Sequence, residues 1–266
     1  MAQLAGPEVI AAATQLMRAA QWNAAADLIR VARADDPVEQ RALALTLAEI
    51  AVDQDFSQQT DNAAPALAAV ARALETLPDA TISWDLAMLH LRRDYSTELF
   101  ASDATTFGSD GRDPTIAKAL AERAAQLRDQ APDEARRGLA SFYAGVIADN
   151  LLDDQETAFT HFTTALELGE RSGDDLLTSF ALRHLGHYAH TAGDLKLARQ
   201  QWEYSTELRQ KVGHLLGALA QQTLLAVVLR DEGDPAGARA VATEVNRWSR
   251  QANLPFLIKQ TTDLMS

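Results

Sequence analysis

Arg183, His187 and His190 lie on one expected helix at i, i+4 and i+7, so their side chains share a face. A guanidinium can donate two parallel bonds to a carboxylate, and imidazoles and amides add further donors. Shifts of 40 residues extend this face into rungs: Tyr143, Arg183 and Thr223; Ile147, His187 and Val227; Asn150, His190 and Arg230. Tyr143, Asn150, Arg183, His187, His190, Thr223 and Arg230 thus fall on one repeated stripe whose chemistry suits an anionic group. A peptide C-terminal carboxylate, an acidic protein segment or a small anionic ligand would all suit it. If protonated imidazoles help to hold the anion, affinity should fall as pH rises from about 6 to 8.

The same segment offers two other chemistries. Five of the six histidines lie between His161 and His214. His187 and His190, at i, i+3, could reach one metal ion, with Asp149 the best third ligand one repeat earlier. No third ligand stands at a recognisable spacing, so neither metal nor cofactor is expected. Asp149, Arg183, His184, His187 and His190 could instead form an acid–base centre, because imidazole titrates near neutrality. No nucleophile elbow, phosphate-cradling glycine loop or HExxH motif accompanies them. Binding is therefore the preferred reading and an enzyme the alternative. Asp149, if buried, needs a partner, Arg183 or His184, since an unpaired buried charge is costly.

Bulk properties narrow the classes further. The formal net charge of −13 disfavours nucleic-acid and anionic membrane partners, whose phosphates must be met by Lys and Arg. There is no cysteine, which removes disulfides, thiolate metal sites and cysteine nucleophiles. MAQLAGPEVIAAATQLM lacks the basic region that opens a secretory signal, and no apolar run is long enough to span a bilayer. A cytoplasmic location is expected. Hydrophobic residues make up 47% but aromatics only 6%, much of the rest being Ala, which favours helices packed closely through small residues.

The elements that would position these residues repeat. Ala158, Ala198 and Ala238 stand 40 apart, as do Asp154, Asp194 and Asp234, with Gly193 and Gly233 before two of them. The same register aligns Phe162 with Trp202 and Leu185 with Leu225. In the clearest unit, a first helix carries Leu182, Leu185, Gly186 and Ala189 on one face. Gly193-Asp194 makes a turn, and a second helix carries Leu197, Ala198, Trp202 and Ser205. Such a period marks a solenoid whose units bury apolar faces against their neighbours.

The unit resembles the tetratricopeptide repeat (TPR), with Leu185-Gly186 at its Leu-Gly position, Ala198 at its packing alanine and Trp202 at its large aromatic position. WNAAADLIRVARADDP and APALAAVARALETLP resemble its second helix, through Ala25, Ile29, Ala32 and Pro37, and Ala66, Val70, Ala73 and Pro78. Each proline would close a unit. The spacing exceeds the usual period of about 34 and is similar to the long repeats of some bacterial regulators' sensor domains. The resemblance implies an all-α, right-handed superhelical solenoid of six helix pairs, whose first helices line the concave groove. It implies one array over 1–266: an irregular half 1–132, regular repeats 133–252 and a capping helix 253–266. A polar loop is expected at 94–113, before a helix capped by Asp113 and opened by Pro114.

Overall fold

The computed structural model describes residues 6–101, 109–110 and 112–265. Among them lie thirteen helices and no strand. In chain order these are α1 (Gly6–Arg18), α2 (Trp22–Val31), α3 (Pro37–Gln58), α4 (Ala64–Thr76), α5 (Ala80–Phe100) and α6 (Pro114–Asp129). Then come α7 (Glu134–Leu152), α8 (Gln155–Ser172), α9 (Asp175–Thr191), α10 (Leu195–Lys211), α11 (Leu215–Asp231), α12 (Pro235–Gln251) and α13 (Pro255–Met265). The chain forms two compact units, Met1–Phe100 and Ala101–Ser266.

In the second unit each helix packs on the next from α6 to α13, and α7 also touches α9, as α11 touches α13. Two ladders of left-handed residues set this rhythm. Asp153, Gly193 and Gly233 have φ of 57°, 81° and 92°, and end α7, α9 and α11. Gly173, Gly213 and Asn253, at 69°, 76° and 52°, end α8, α10 and α12. At Gly193 the carbonyls left over by α9 are taken up in a Schellman pattern: Gly193 N–H donates to His190 O and Asp194 N–H to Ala189 O, both at 2.9 Å. The next residue then starts the following helix. Asp154, Asp194 and Asp234 each accept a bond from the backbone N–H three residues on.

Packing follows the small-against-large pattern. Trp202 is 1% exposed and its indole donates to the Arg183 carbonyl at 2.8 Å. It lies so close to α9 that a Cβ on Gly186 would sit 2.4 Å from its Nε1. Only glycine fits there without displacement. Ala198 is fully buried beside it, within a cluster that includes Ala189 and Val228. Leu182, Leu185 and Ala189 are buried as the α9 stripe requires. Leu197 is not: it is exposed, because one residue's offset from Ala198 turns it about 100° around the helix.

The first unit departs from expectation in two places. Pro37 does not close a unit; it opens α3, with Asp36 as the N-cap accepting from Val38 N–H. Pro78 does follow the end of α4. The segment expected as a loop from 94 is helical as far as Phe100, where Tyr95 and Leu99 are buried on α5. Apolar spacing thus continues the helix through a polar stretch. Residues 102–108 and 111 of the expected loop lie outside the described residues. Asp113 caps α6 by accepting from Thr115 N–H, and Pro114 is its first residue. No described helix is long and apolar enough to cross a membrane.

Candidate functional site

The candidate residues sit on α7, α9 and α11 and divide into three groups. The first surrounds Asp149 near the end of α7. Tyr188 OH donates to Asp149 Oδ1 at 3.0 Å, and His184 Nδ1 lies 3.8 Å from Oδ2, beyond hydrogen-bond reach. The His184 ring is stacked on Phe162 with centroids 4.3 Å apart and meets Phe142 edge-on at 5.6 Å. Asp149 is thus partnered as expected, by His184 and Tyr188 rather than by Arg183. Tyr188 lay off the sequence stripe, and only the crossing of α9 over α7 reveals it.

The electrostatics of this group push every member away from neutral-pH proton exchange. Burial lowers His184 to a pKa of about 4, with Asp149 opposing the shift and Arg183 reinforcing it. For Asp149, burial raises the pKa, but the nearby His184 ring and the Tyr188 hydrogen bond outweigh it and the net shift is downward. Burial and the Asp149 charge raise Tyr188. At neutral pH the group is a carboxylate, a neutral imidazole and a neutral phenol.

The second group brings His190 and Arg230 together, but through an acid. His190 Nε2 lies 2.8 Å from Asp231 Oδ2, and Arg230 Nε donates to Asp231 Oδ1 at 2.8 Å. Asp231, at the last position of α11, was not on the expected face. The hydrogen bond from Arg230 is the main cause that lowers its pKa, with His190 helping. Arg230 therefore has a counter-charge within the protein, and His190 has a side-chain partner there. Thr223 is buried and its hydroxyl donates to Leu219 O, so it presents nothing to a groove. Asn150 and Ile147 are buried on α7.

The third group is Tyr143, Arg183 and His187. Tyr143 is half-buried, edge-on to Phe142 at 5.4 Å. Arg183 is half-buried with Nη1 3.3 Å from His184 Nε2. His187 is exposed overall, yet partial desolvation of its ring lowers its pKa; Asp149 opposes this and Arg183 and His190 add to it. His184 thus stays neutral through the window of about 6 to 8 expected from free imidazole, and the downward shift of His187 lessens its protonation there. Among the described residues no group of three His, Asp or Glu side chains could hold a metal ion.

Sequence reasoning also missed Arg209. It stands on α10, outside the first-helix stripe, and only packing brings it to Ser179 and Phe180 of α9.

No family model and no curated protein matches the sequence. Among solved structures, the chain is similar to a signal-transduction ATPase with numerous domains (STAND) from Pyrococcus horikoshii that carries a tetratricopeptide repeat sensor. The TM-score is 0.50 at 13% identity, and the match covers 90% of this chain but only 35% of that one. Identity this low speaks for the fold alone: the chain has an all-α helical repeat fold of the tetratricopeptide kind.

Proposed function

We propose that this chain is a non-catalytic binding or sensor module of the cytoplasm. It recognises a peptide, a protein tail or a small anionic ligand over the face of α9 that carries Arg183 and His187. Arg183 is the observation that carries this reading. Its guanidinium is half-buried, beside an exposed His187, on a helix whose Tyr188 and His190 are engaged with Asp149 and Asp231. A guanidinium held in this way keeps a planar set of donors that suits a carboxylate. The sensor repeat of the STAND neighbour supports a binding role in general terms.

The alternative, an enzyme using Asp149, Arg183, His184, His187 and His190, is disfavoured by the titration directions. An acid–base catalyst needs a pKa near the working pH, whereas His184 and His187 are shifted down, Asp149 down and Tyr188 up.

The reading is tested by isothermal titration of the whole chain with N-acetylated peptides ending in free carboxylates, and with the same peptides amidated. Binding should require the free carboxylate and be lost in Arg183→Ala, with the melting temperature nearly unchanged. Unaltered affinity in a folded Arg183→Ala protein would reject it. If Arg183→Ala unfolds the chain, Arg183→Gln takes its place in the same comparison.

A further inference from the structure

A cavity of about 230 Å³ opens in the first unit between the end of α3 and the last two turns of α5. A clamped turn shapes its first wall. Asp55, in the last turn of α3, is 5% exposed. Its Oδ1 accepts from Thr60 Oγ1 at 2.6 Å, and its Oδ2 accepts from the backbone N–H groups of Asn62 and Ala63, both at 2.8 Å. Directly after the helix, Gln59 takes left-handed backbone with φ of 56°. The chain folds back there, and the Asp55 carboxylate holds it, so that Gln59 and Asp61 border the cavity. Asp55 is committed to the turn and gives the site its shape.

The facing wall is one side of α5. Arg93, Ser96 and Phe100 stand at i, i+3 and i+7, and all three line the cavity. Val52, only 3% exposed, adds apolar lining beside the Phe100 ring, which Phe56 supports with centroids 5.7 Å apart. Arg93 joins the walls: its Nε and Nη2 both donate to Asp61 Oδ1, at 3.1 and 2.8 Å. Both partners remain reachable from solvent, their side chains being 28% and 70% exposed.

This lining selects a chemistry. The Arg93 and Asp61 charges answer each other, so the rim gives an ion no net charge to meet. It presents instead a guanidinium that only donates, a carboxylate that only accepts, and a Ser96 hydroxyl and a Gln59 amide that do both. A hydroxyl can accept from Arg93 and donate to Asp61 at once without parting the pair. A carboxylate or an ammonium can use only one of the two and competes with the other. Polar groups on both walls around an apolar patch therefore suit a ligand with several hydroxyls and an apolar face. The volume lies below the ~300 Å³ at which pockets for drug-sized ligands begin, which limits that ligand to about one ring.

We infer that this cavity is a site for a small neutral hydroxylated ring, of the monosaccharide or cyclitol kind. Its hydroxyls bridge Arg93 and Asp61, and its apolar face lies against Phe100 and Val52. The site uses residues of the first unit alone and does not depend on the Arg183 reading.

Saturation-transfer-difference NMR on the full chain tests it, with D-glucose, N-acetyl-D-glucosamine and myo-inositol as probes at millimolar concentration. At least one should receive saturation and should resist displacement by cyclohexanol, which keeps an apolar ring with one hydroxyl, and by acetate. Asp61→Asn should weaken that probe about 10-fold or more, as loss of a charged hydrogen bond does. Ser96→Leu, which fills the cavity, should abolish the transfer with the far-UV circular dichroism unchanged. If Ser96→Leu does not fold, the exposed Asp61→Asn carries the test alone.

No transfer to any of the three probes would overturn the inference, as would transfer that survives Asp61→Asn. Displacement by cyclohexanol or acetate would overturn the proposed ligand class. Arg183→Ala separates the two proposals: it should leave sugar or cyclitol transfer intact while removing peptide binding.

Discussion

His184 makes the electrostatic reasoning quantitative. The residue is 8% exposed, its ring is stacked on Phe162, and the chain holds its pKa at about 4 against an ordinary 6.5. The unfolded chain therefore binds the proton first as pH falls. Stability that is fully present above pH 6.5 is lost progressively as pH drops toward 4. Between pH 7 and pH 5 the unfolded imidazole becomes almost wholly protonated while the folded one stays neutral. The difference amounts to about 2 kcal/mol, from 1.36 kcal/mol per pH unit over the part of the window crossed. His184→Phe keeps a ring against Phe142 and Phe162 but cannot titrate. Urea denaturation followed by far-UV circular dichroism at pH 7, 6 and 5 compares the two chains. Their difference in unfolding free energy should move by about 2 kcal/mol in favour of the variant on acidification. Asp149, whose pKa is lowered, stays ionised over this range and does not supply the change. Only the pH-dependent part is read, since repacking sets the offset. A difference that stays flat from pH 7 to pH 5 would refute the assignment of His184 as a desolvated neutral imidazole.

Two further expectations concern the repeat itself. Trp202→Ala removes a buried indole and its bond to the Arg183 carbonyl, and should cost about 3–5 kcal/mol in the same denaturation assay; a loss under about 1 kcal/mol would mean that the α9–α10 contact is wrongly placed. Gly193→Ala meets no atom within 4 Å, so its cost is that of the left-handed backbone alone, about 1–2 kcal/mol. Gly193→Asn should cost less than Gly193→Ala, because a short polar side chain tolerates φ > 0, as Asp153 does at the equivalent position. Equal stability of the two variants would contradict this.

The sequence by itself determined the rhythm of the fold. Turn and cap residues act locally: glycine or Asp/Asn at a left-handed stop and aspartate at a helix start need only their own backbone neighbours, so they can be read from spacing. The Gly186–Trp202 contact was legible for a related reason, since small and large residues at fixed register encode close approach. Local signals failed where two local rules compete. Pro37 can end one helix or open the next, and the polar stretch after Asp94 can be loop or exposed helix face; burial of Tyr95 and Leu99 decides the second. The candidate site was legible only as a stripe on α9. Which charges meet was decided by the tertiary structure, because an ion pair depends on helix crossings that bring α7 to α9 and α11 to α9. Thus Tyr188 and His184 meet Asp149, and Asp231 gathers His190 and Arg230. Arg209 comes from the other helix of the pair, where a periodic reading of the groove face has no reason to look. Its charge matters because packing removes it from water, and desolvation is a property of the folded chain alone.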